Sequence, residues 1–551
     1  MTDAILHLNN LSIASEQNLL VDNVSMKINA GSIMGLVGES GSGKTLTALS
    51  ILNLLAKNLD ITSGSVIYSP GNKEVNLSSC SRRQLNTIRG NRISMIFQEP
   101  MTSLNPTMKC GKQVKESLIT HLKISMKEAK KRTIHLFNEV KLPDPERMYH
   151  SWPHELSGGQ RQRVMIAMAL STSPDLLIAD EPTTALDVTV QKSILELLLS
   201  LKEKYNLSIL FISHDLMVVS QIADEVSVMY QGKIVESGSK NEVMNSPKSQ
   251  YTIGLLACKP RLDKNPYRLP TISDFLQKKN FVKPRAKKQN KQVKYNQPLL
   301  AVKDLTVSYP GKKKSGDITA VNSVSFEVFK GETLGLVGES GCGKTSLGRA
   351  LLHLLNEKSG SISYKGTKIN MLREKKFRSL RKELQIVFQD PYSSLNPKKT
   401  IGSILAEPLI VHKLVKGKKE INTELIRLLE QVGLPASCQN KYPHQFSGGQ
   451  RQRIGIARAL ACQPEFIVLD ESVSALDVSV QAQVINLLND LKELYKLTYL
   501  FISHDLTVVK YVSDRIIVMS EGNIVEQGDA EQIYMNPANS YTRKLIEAIP
   551  R

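Results

Sequence analysis

Two glycine-rich segments have the residue types and spacing that hold a polyphosphate. Residues 38–45 read Gly-Glu-Ser-Gly-Ser-Gly-Lys-Thr, and residues 338–345 read Gly-Glu-Ser-Gly-Cys-Gly-Lys-Thr. In such a loop the glycines let backbone N–H groups turn towards phosphate oxygens, and the helix that follows adds partial positive charge. The lysines are expected to reach the β- and γ-phosphates. The predicted binding residues are Gly38, Glu39, Ser40, Gly41, Ser42, Gly43, Lys44, Thr45, Gly338, Glu339, Ser340, Gly341, Cys342, Gly343, Lys344 and Thr345.

An Asp-Glu pair follows an apolar run in each half of the chain. Asp180 and Glu181 follow Leu-Leu-Ile-Ala, and Asp470 and Glu471 follow Phe-Ile-Val-Leu. Because adjacent residues at a strand end point in different directions, the aspartate can hold Mg²⁺ while the glutamate activates an attacking water. The threonine that ends each glycine-rich segment is expected to share the metal. The metal-binding residues predicted in this way are Thr45, Asp180, Thr345 and Asp470.

Each half also contains Ser-Gly-Gly-Gln followed by Arg-Gln-Arg and a helix-forming run. A serine before such a run is a helix N-cap, and the free N–H groups of the first turn form another anion site. Since one loop already binds the phosphates of its own nucleotide, a second anion site suggests a nucleotide held from both sides by two domains. The residues concerned are Ser157, Gly158, Gly159, Gln160, Ser447, Gly448, Gly449 and Gln450.

These motifs occur twice in the same order, so the chain is an internal repeat. The segment Gly-Leu-Val-Gly-Glu-Ser-Gly begins at Gly35 and again at Gly335, and Phe-Ile-Ser-His-Asp-Leu begins at Phe211 and again at Phe501. The offset is 300 residues at the first motif and 290 at the last. The repeat predicts two domains, residues 1–257 and 299–551.

Short apolar runs place the motifs at the ends of strands. Residues 32–38, 176–180 and 208–215 are continuous apolar runs that end in glycine or polar groups. Such runs are typical of parallel strands buried on both faces. Their alternation with helical stretches predicts an α/β fold with ligands at the carboxyl ends of the strands.

The length and composition exclude several classes of protein. A chain of 551 residues exceeds the size of one core, and 41% hydrophobic with 23% charged residues argues against disorder or a collagen-like chain. No apolar run is long enough to span a membrane, and residues 1–10 lack a secretory pattern, so we expect a cytoplasmic protein. The six cysteines lack zinc-ligand spacing, which argues against a zinc-finger protein.

Half of the net charge of +20 lies between the two predicted domains. Residues 258–298 contain twelve Lys or Arg and two Asp, together with several prolines. This composition predicts an extended, partly disordered linker that is solvated by water. Contact with anionic lipid headgroups is the alternative interpretation.

With three further motifs the pattern resembles the ATP-binding subunits of ABC transporters over nearly the whole chain. These motifs are a glutamine loop, an Ala-Leu-Asp loop and a switch histidine, at Gln98, Gln389, Asp187, Asp477, His214 and His504. The resemblance implies two tandem P-loop NTPase domains of α/β fold, each with a small helical subdomain. It also implies ATP and Mg²⁺ as ligands and an intrachain head-to-tail pair of domains, in which each ATP lies between one P-loop and the other domain's Ser-Gly-Gly-Gln signature.

The resemblance also assigns roles to single residues. Glu181 and Glu471 become the catalytic bases, and the switch histidines contact the γ-phosphate. The glutamines sense the attacking water and join the metal site, so the metal set extends to Gln98 and Gln389. The first site would use residues 447–449 of the second copy, and the second site would use residues 157–159 of the first.

Local segments narrow the resemblance to one subfamily. Pro-His-Glu-Leu-Ser-Gly-Gly-Gln and Pro-His-Gln-Phe-Ser-Gly-Gly-Gln resemble the two partner ATPases of peptide-type importers, here fused in one chain. The resemblance implies two transmembrane permeases that dock on residues 99–156 and 390–446, a solute-binding protein, and a peripheral position at the cytoplasmic face of the inner membrane. Nucleic acid is not an expected partner. Peptide, nickel and glutathione remain open as substrates.

Two other functions are alternatives to import. Soluble tandem ABC ATPases that act on ribosomes are also basic, but they join their domains with a long charged helix, whereas this linker is interrupted by prolines. A DNA-repair ATPase would need zinc spacing or coiled-coil heptads, and neither pattern occurs in the sequence.

The two nucleotide sites differ at two positions. In this family an aromatic residue on an early strand stacks on adenine, and Tyr309 matches that position, whereas the first copy has Ser15. Within the second P-loop, Cys342 replaces Ser42. We therefore predict tighter ATP binding at the second site, and a thiol there that ATP protects from alkylation.

Overall fold

The structure is a computed structural model that describes residues 4–71, 73–98, 103–184, 186–260, 266–277, 297–310, 317–474 and 476–549. These residues form two copies of one α/β arrangement. The strands of the first copy are β1 (Ala4–Ser15), β2 (Leu19–Asn29), β3 (Ile33–Val37), β4 (Leu59–Tyr68), β5 (Val75–Asn76), β6 (Ile93–Ile96), β7 (Leu176–Asp180), β8 (Ser208–Ser213), β9 (Glu225–Tyr230) and β10 (Lys233–Ser239).

Helices cover the main sheet and form a separate lobe. They are α1 (Lys44–Ile51), α2 (Arg82–Ile88), α3 (Cys110–Leu122), α4 (Met126–Glu139), α5 (Pro145–His150), α6 (Gly158–Leu170), α7 (Val188–Tyr205), α8 (Leu216–Ile222), α9 (Lys240–Asn245) and α10 (Gln250–Cys258). A further helix, α11 (Ile272–Leu276), follows within the segment between the copies.

The main sheet of the first copy has the order β10-β9-β3-β8-β7-β6. Strands β9, β3, β8, β7 and β6 are parallel, and β10 pairs antiparallel with β9 at the edge. Every residue of β3, β7 and β8 is buried, as expected for continuous apolar runs in a parallel sheet. A second, antiparallel sheet has the order β2-β1-β4-β5.

The second copy repeats this arrangement. Its strands are β11 (Pro298–Tyr309), β12 (Ile318–Phe329), β13 (Thr333–Val337), β14 (Ser359–Tyr364), β15 (Thr367–Lys368), β16 (Leu384–Val387), β17 (Phe466–Asp470), β18 (Thr498–Ile502), β19 (Arg515–Ser520) and β20 (Asn523–Asp529). The sheet orders are β16-β17-β18-β13-β19-β20 and β12-β11-β14-β15.

The helices of the second copy follow the same sequence. They are α12 (Lys344–Leu351), α13 (Glu374–Leu380), α14 (Ile401–Val411), α15 (Lys418–Gln431), α16 (Gly448–Leu460), α17 (Val478–Tyr495), α18 (Leu506–Val512), α19 (Ala530–Met535) and α20 (Ser540–Glu547).

The helical lobe of each copy holds the signature helix at its base. In the first copy, α3, α4 and α5 pack on one another, and α3 and α4 also pack on α6. The buried residues of α4 are Ala129, Thr133, Leu136 and Phe137, which recur at the spacing of one helix face. This lobe is the small helical subdomain that the family resemblance implies.

The segment between the copies is ordered where it is described. Residues 261–265 and 278–296 lie outside the described residues, but Leu269 and Ile272 are buried. The Asn486 side chain on α17 accepts from the Leu269 N–H at 2.9 Å and donates to its carbonyl at 2.8 Å. Residues 266–277 therefore differ from the expected extended linker: apolar side chains and a buried amide dock them on the second copy.

Candidate nucleotide sites

Each P-loop joins the central strand of its sheet to the helix that follows. In the first copy the loop connects β3 to α1, and Gly43 caps α1 with φ 103, a left-handed conformation that favours glycine. Lys44 Nζ donates to the carbonyls of Gly38 and Glu39 at 2.7 and 2.8 Å. Lys344 makes the equivalent bonds in the second copy. The lysine thus lies within its loop, where phosphate oxygens can replace the two carbonyls as its acceptors.

Hydroxyl and carboxylate oxygens meet beside each P-loop. Thr45 Oγ1 donates to Asp180 Oδ1 at 3.3 Å, and Thr345 Oγ1 donates to Asp470 Oδ1 at 3.0 Å. Burial, together with the charge of neighbouring Glu181, raises the pKa of Asp180 to about 6. Burial likewise raises the pKa of Asp470. A buried carboxylate beside a hydroxyl is an oxygen donor set of the kind that Mg²⁺ prefers.

The glutamates that follow these aspartates have a left-handed backbone. Glu181 has φ 48 and Glu471 has φ 44. His214 Nδ1 lies 3.2 Å from Glu181 Oε2, and His504 Nδ1 lies 3.5 Å from Glu471 Oε1. The turned backbone therefore brings each carboxylate to the switch histidine of its own copy.

Other side chains complete the setting of each glutamate. Thr184 Oγ1 donates to Glu181 Oε2 at 2.8 Å, and Gln389 Nε2 donates to Glu471 Oε2 at 2.7 Å. Gln98 follows β6 as Gln389 follows β16, and its side chain is exposed. The structure thus brings together the predicted base, histidine and glutamine at the second site, and the base and histidine at the first.

Within each glutamate–histidine pair, each side chain favours the charged form of the other. Burial alone would raise the pKa of Glu181, but the hydrogen bond and charge of His214 and the bond from Thr184 lower it to about 2. Burial alone would lower the pKa of His214, but Glu181 raises it. The pKa values of Glu471 and His504 shift in the same two directions for the same reasons. The carboxylates are therefore ionised at neutral pH, as a general base requires.

A cavity of about 650 Å³ lies over the second P-loop. Its lining includes Lys344, Tyr309, His504 and Glu471, together with Thr184 from the first copy. Tyr309 is 38% exposed, and its hydroxyl lies 2.9 Å from Ser346 Oγ. The aromatic ring thus borders the same space as the phosphate-binding loop, which is the position needed to stack on a base.

The signature serines cap their helices as predicted. Ser157 Oγ accepts from the Gln160 N–H at 3.3 Å, and the Gln160 side chain accepts from the Ser157 N–H at 3.0 Å. Ser447 and Gln450 form the same capping box on α16. However, residues 157–160, which the structure describes, do not line the cavity over the second P-loop. The signature of the first copy therefore does not form a wall of this cavity.

The bonds that link each P-loop to the other copy come instead from residues at or next to the Ala-Leu-Asp motifs. Asp477 Oδ2 accepts from the Ser40 N–H of the first P-loop at 3.2 Å. Thr189, two residues after Asp187, donates through Oγ1 to Glu339 Oε1 of the second P-loop at 2.8 Å. Each P-loop is thus bonded to the start of a helix of the other copy, at the N-cap of α17 or in the first turn of α7.

Two tyrosines near the nucleotide sites were missed by sequence reasoning. The Tyr251 hydroxyl accepts from the Glu39 N–H at 3.0 Å, and the Tyr541 hydroxyl accepts from the Glu339 N–H at 3.1 Å. Both lie in the helical tail that follows the last strand of each copy, residues 240–260 in the first copy and 530–549 in the second. Each tyrosine is about 200 residues along the chain from the P-loop that it contacts. Their recurrence at equivalent positions in both tails was the only available signal.

The second P-loop thiol is sheltered. Cys342 is 7% exposed, and its Sγ lies 3.8 Å from Lys344 Nζ. Burial raises the pKa of the thiol despite the nearby ammonium. Because the thiolate is the reactive form, this setting favours slow alkylation even without ATP.

Comparison with known sequences identifies the chain. The sequence pattern of the family described as "ABC transporter" matches residues 21–184 and 321–474. That of the "Oligopeptide/dipeptide transporter, C-terminal region" matches residues 235–280 and 525–551. The chain belongs to the ABC transporter ATP-binding family. It is an ATP-binding and ATP-hydrolysing transport subunit with two ABC ATPase domains, so the predicted fold class, family and enzyme class are confirmed, and the ribosomal alternative is not favoured.

The curated relatives match almost the whole of this ABC ATPase. The chain is 45% identical to the glutathione import ATP-binding protein GsiA of Escherichia coli O6:H1, over 99% of this chain and 89% of that protein. It is 44% identical to the protein of that name from Shigella boydii serotype 4 and 43% identical to that from Salmonella choleraesuis, with the same coverage.

Solved structures match as well. One is the dimeric post-hydrolysis state of the ATP-binding cassette MJ0796 bound to ADP and Pi, with 27% identity and a TM-score of 0.39 over 42% of this chain and 98% of that one. Another is cbiO1 from Clostridium perfringens, with 25% identity and a TM-score of 0.39 over 43% of this chain and 91% of that one. Across the residues that the structure describes, no helix is both long and apolar enough to cross a bilayer.

Proposed function

We propose that this ABC ATPase works as an intrachain head-to-tail pair that powers import of a small peptide through two membrane permeases. The observation that supports the pairing is reciprocal: Asp477 bonds to the P-loop of the first copy, and Thr189 bonds to that of the second. A side-by-side pair with parallel orientation would not give each P-loop a neighbour from the equivalent segment of the other copy, residues 187–189 or 477–479.

The proposed division of the chain follows from the repeat. Residues 1–257 form the first ATPase domain, residues 299–551 form the second, and residues 258–298 connect them. When ATP binds, the two domains close until residues 157–160 and 447–450 reach the phosphates of the opposite site. The cap geometry supports this role, because both signature serines leave free N–H groups at an accessible helix N-terminus.

Within each site, the lysine and the P-loop amides hold the phosphates, and the glutamate takes a proton from the attacking water. Its low pKa keeps it ionised, and the switch histidine orients it until the γ-phosphate becomes the histidine's partner. Mg²⁺, when bound, neutralises phosphate charge. The proposed Mg²⁺ ligands of the first site are Thr45, Asp180 and Gln98. Those of the second site are Thr345, Asp470 and Gln389.

The substrate and partners are proposed from the relatives. The relatives are glutathione importers by name, and the C-terminal region shared with oligopeptide and dipeptide transporters occurs in both tails. We therefore favour glutathione or a peptide of similar size, delivered by a solute-binding protein. The ATPase itself would sit at the cytoplasmic face of the membrane, attached through permeases that dock on its helical lobes.

Reconstitution tests this proposal directly. The chain is purified with two transmembrane permeases of a peptide-type importer, placed in lipid vesicles, and assayed for ATP-driven uptake of labelled glutathione, a dipeptide and nickel. We expect uptake of glutathione or the dipeptide that is lost when both P-loop lysines are changed to alanine. ATP-driven uptake of nickel alone would overturn the substrate, and failure to bind any permease would overturn the transport role.

A further inference from the structure

One largely buried lysine lies beside the switch loops of the two copies, which we define as residues 213–215 and 503–505 around the switch histidines. Lys259 directly follows α10, at the end of the first tail. Its Nζ lies 2.5 Å from Oδ2 of Asp215, the residue after the first switch histidine. Both side chains are 17% exposed. A cation in this position is therefore paired within the first copy and close to its catalytic histidine.

The same ammonium also faces the second copy. A cavity of about 100 Å³ is lined by Lys259, Asp215 and His214 from the first copy and by His504 and Asp505 from the second. Burial lowers the pKa of Lys259, but the charges of Asp215 and Asp505 outweigh that effect and raise it. One positive charge thus lines the same cavity as the two acids that follow the two switch histidines.

The second copy has no such cation at the equivalent place. The tails align as Tyr-Thr-Ile-Gly-Leu-Leu-Ala-Cys-Lys and Tyr-Thr-Arg-Lys-Leu-Ile-Glu-Ala-Ile, so Lys259 corresponds to Ile549. The register is secure because Tyr251 and Tyr541, eight residues earlier, make the same bond to their P-loops. Ile549 is buried at 6% exposure. An apolar side chain therefore fits this position of the fold in the second copy, where the first copy has a cation.

Described residues on either side of Lys259 bond to different copies. Before it, α10 is held to the first P-loop through Tyr251. After it, Arg268 Nη1 bonds to Asp490 on α17 at 3.0 Å, and Leu269 bonds to Asn486 on the same helix. The described residues before Lys259 thus bond to the first copy, and those from residue 266 onward bond to the second.

Each acid is also built into its own switch loop. Asp215 caps α8 by accepting from the Met217 N–H at 2.8 Å, and Asp505 caps α18 by accepting from the Thr507 N–H at 2.8 Å. Movement of either aspartate therefore moves the start of the helix behind its switch histidine. Without the lysine, the two carboxylates that line this cavity would lose the ammonium that offsets their mutual repulsion, which favours opening.

We propose that Lys259 is a positioning residue that ties the switch loops of the two copies together, so that closure at one ATP site is transmitted to the other. This inference rests on the proposed head-to-tail closure. In this proposal the coupling between the two ATP sites depends on a residue of the first copy alone, because a single lysine from the first tail interacts with both switch loops.

The test compares Lys259→Ile, which installs the residue of the second copy, with Lys259→Arg, which keeps the charge. For Lys259→Ile we expect kcat for ATP hydrolysis to fall roughly five- to tenfold, within the range of site-to-site coupling, while KM changes by less than about twofold. Lys259→Arg should stay within about twofold of the parent, as should Lys248→Ile, which removes an exposed lysine of the same tail. A parental kcat for Lys259→Ile, or equal losses for Ile and Arg, would overturn the proposal.

A second measurement needs no ATP. Asp505→Asn preserves the helix cap but removes the second charge. Thermal unfolding of the parent, Lys259→Ile, Asp505→Asn and the double variant forms a cycle, in which we expect a coupling of about 2–4 °C in Tm. Additive shifts would show that the lysine does not reach Asp505. If the cycle shows coupling but the parent shows no ATP-driven closure, the proposed closure fails while the contact stands.

Discussion

At the scale of single residues, the most constrained positions are the two glutamates assigned as bases. A left-handed backbone costs a non-glycine residue about 1–2 kcal/mol, yet Glu181 and Glu471 both adopt it. Their N–H groups bond to the Ile212 and Ile502 carbonyls on the neighbouring strands, which holds the turn in place. The strain has a chemical use, since it separates the glutamate from the aspartate before it and aims it at the histidine.

Replacing both glutamates tests their role. In Glu181→Gln/Glu471→Gln we expect ATP binding to persist, because the P-loops are untouched, and hydrolysis to fall at least about a hundredfold, the loss expected for a general base. Nucleotide titration and phosphate release measure the two effects separately. Each single variant, Glu181→Gln or Glu471→Gln, measures the loss of hydrolysis at its own site while the other site keeps its glutamate. A double variant that hydrolyses ATP at the parental rate would show that another group is the base.

The aromatic difference between the sites predicts unequal affinity for ATP. Tyr309 borders the cavity over the second P-loop, whereas Ser15 ends β1 in the first copy. Stacking on a base contributes roughly 1–3 kcal/mol, or about a five- to hundredfold change in affinity. Tyr309→Ala should weaken the second site and Ser15→Tyr should strengthen the first, each titrated with the other P-loop lysine changed to alanine. Tyr309→Phe, which keeps the ring and removes the bond to Ser346, is the control. Equal affinities that neither change moves would refute the asymmetry.

At the scale of elements, the signature helix α16 depends on a close approach to α17. A Cβ added at Gly449 would lie 2.2 Å from Val480 Cγ1, whereas one added at Gly455, further along the same helix, would meet nothing within 4 Å. We expect Gly449→Ala to lower the free energy of unfolding by about 1–3 kcal/mol through overpacking. Gly455→Ala should raise it by about 0.5–1 kcal/mol through helix propensity. Denaturant unfolding measures both, and an equal effect of the two changes would contradict this account of the packing.

The elements also show how far sequence reasoning reaches. The strand, loop and helix around each P-loop were predictable, because an apolar run, a glycine spacing and a capped helix all depend on neighbours in the chain. The bonds of Tyr251 and Tyr541 to the P-loops, and of Asp477 to Ser40, join residues that are hundreds of positions apart. Local pattern carries no information on such pairs. The docking of residues 266–277 was hidden for another reason: their basic, proline-containing composition resembles that of a solvated linker.

At the scale of the whole molecule, one hydrophobic cluster includes residues of both copies and of the segment between them, among them Leu255, Leu269 and Leu476. Within it, Asn486 is 2% exposed and satisfies both backbone groups of Leu269. The two copies are therefore joined by a packed segment as well as by the covalent chain.

The contact between Asn486 and Leu269 can be removed by a single substitution. Asn486→Ala would leave a buried N–H and a buried carbonyl without their partner, which costs about 1–3 kcal/mol. We expect Tm of the full chain to fall by at least about 2–4 °C. Asn489→Ala, less than one turn further along α17, is the matched control and should leave Tm almost unchanged. If the two variants unfold at the same temperature, the bonds to Leu269 do not stabilise the joint.

The docking of residues 266–277 on α17 also has a consequence for synthesis. Leu269 and Ile272 leave the ribosome well before α17, which ends at Tyr495, roughly 220 residues later. At about 5–20 residues per second, these apolar side chains wait on the order of 10–45 s for the surface that covers them. During that interval the nascent first half is a natural client for a chaperone, and its partner arrives on the same polypeptide, so assembly never depends on the concentration of a second gene product.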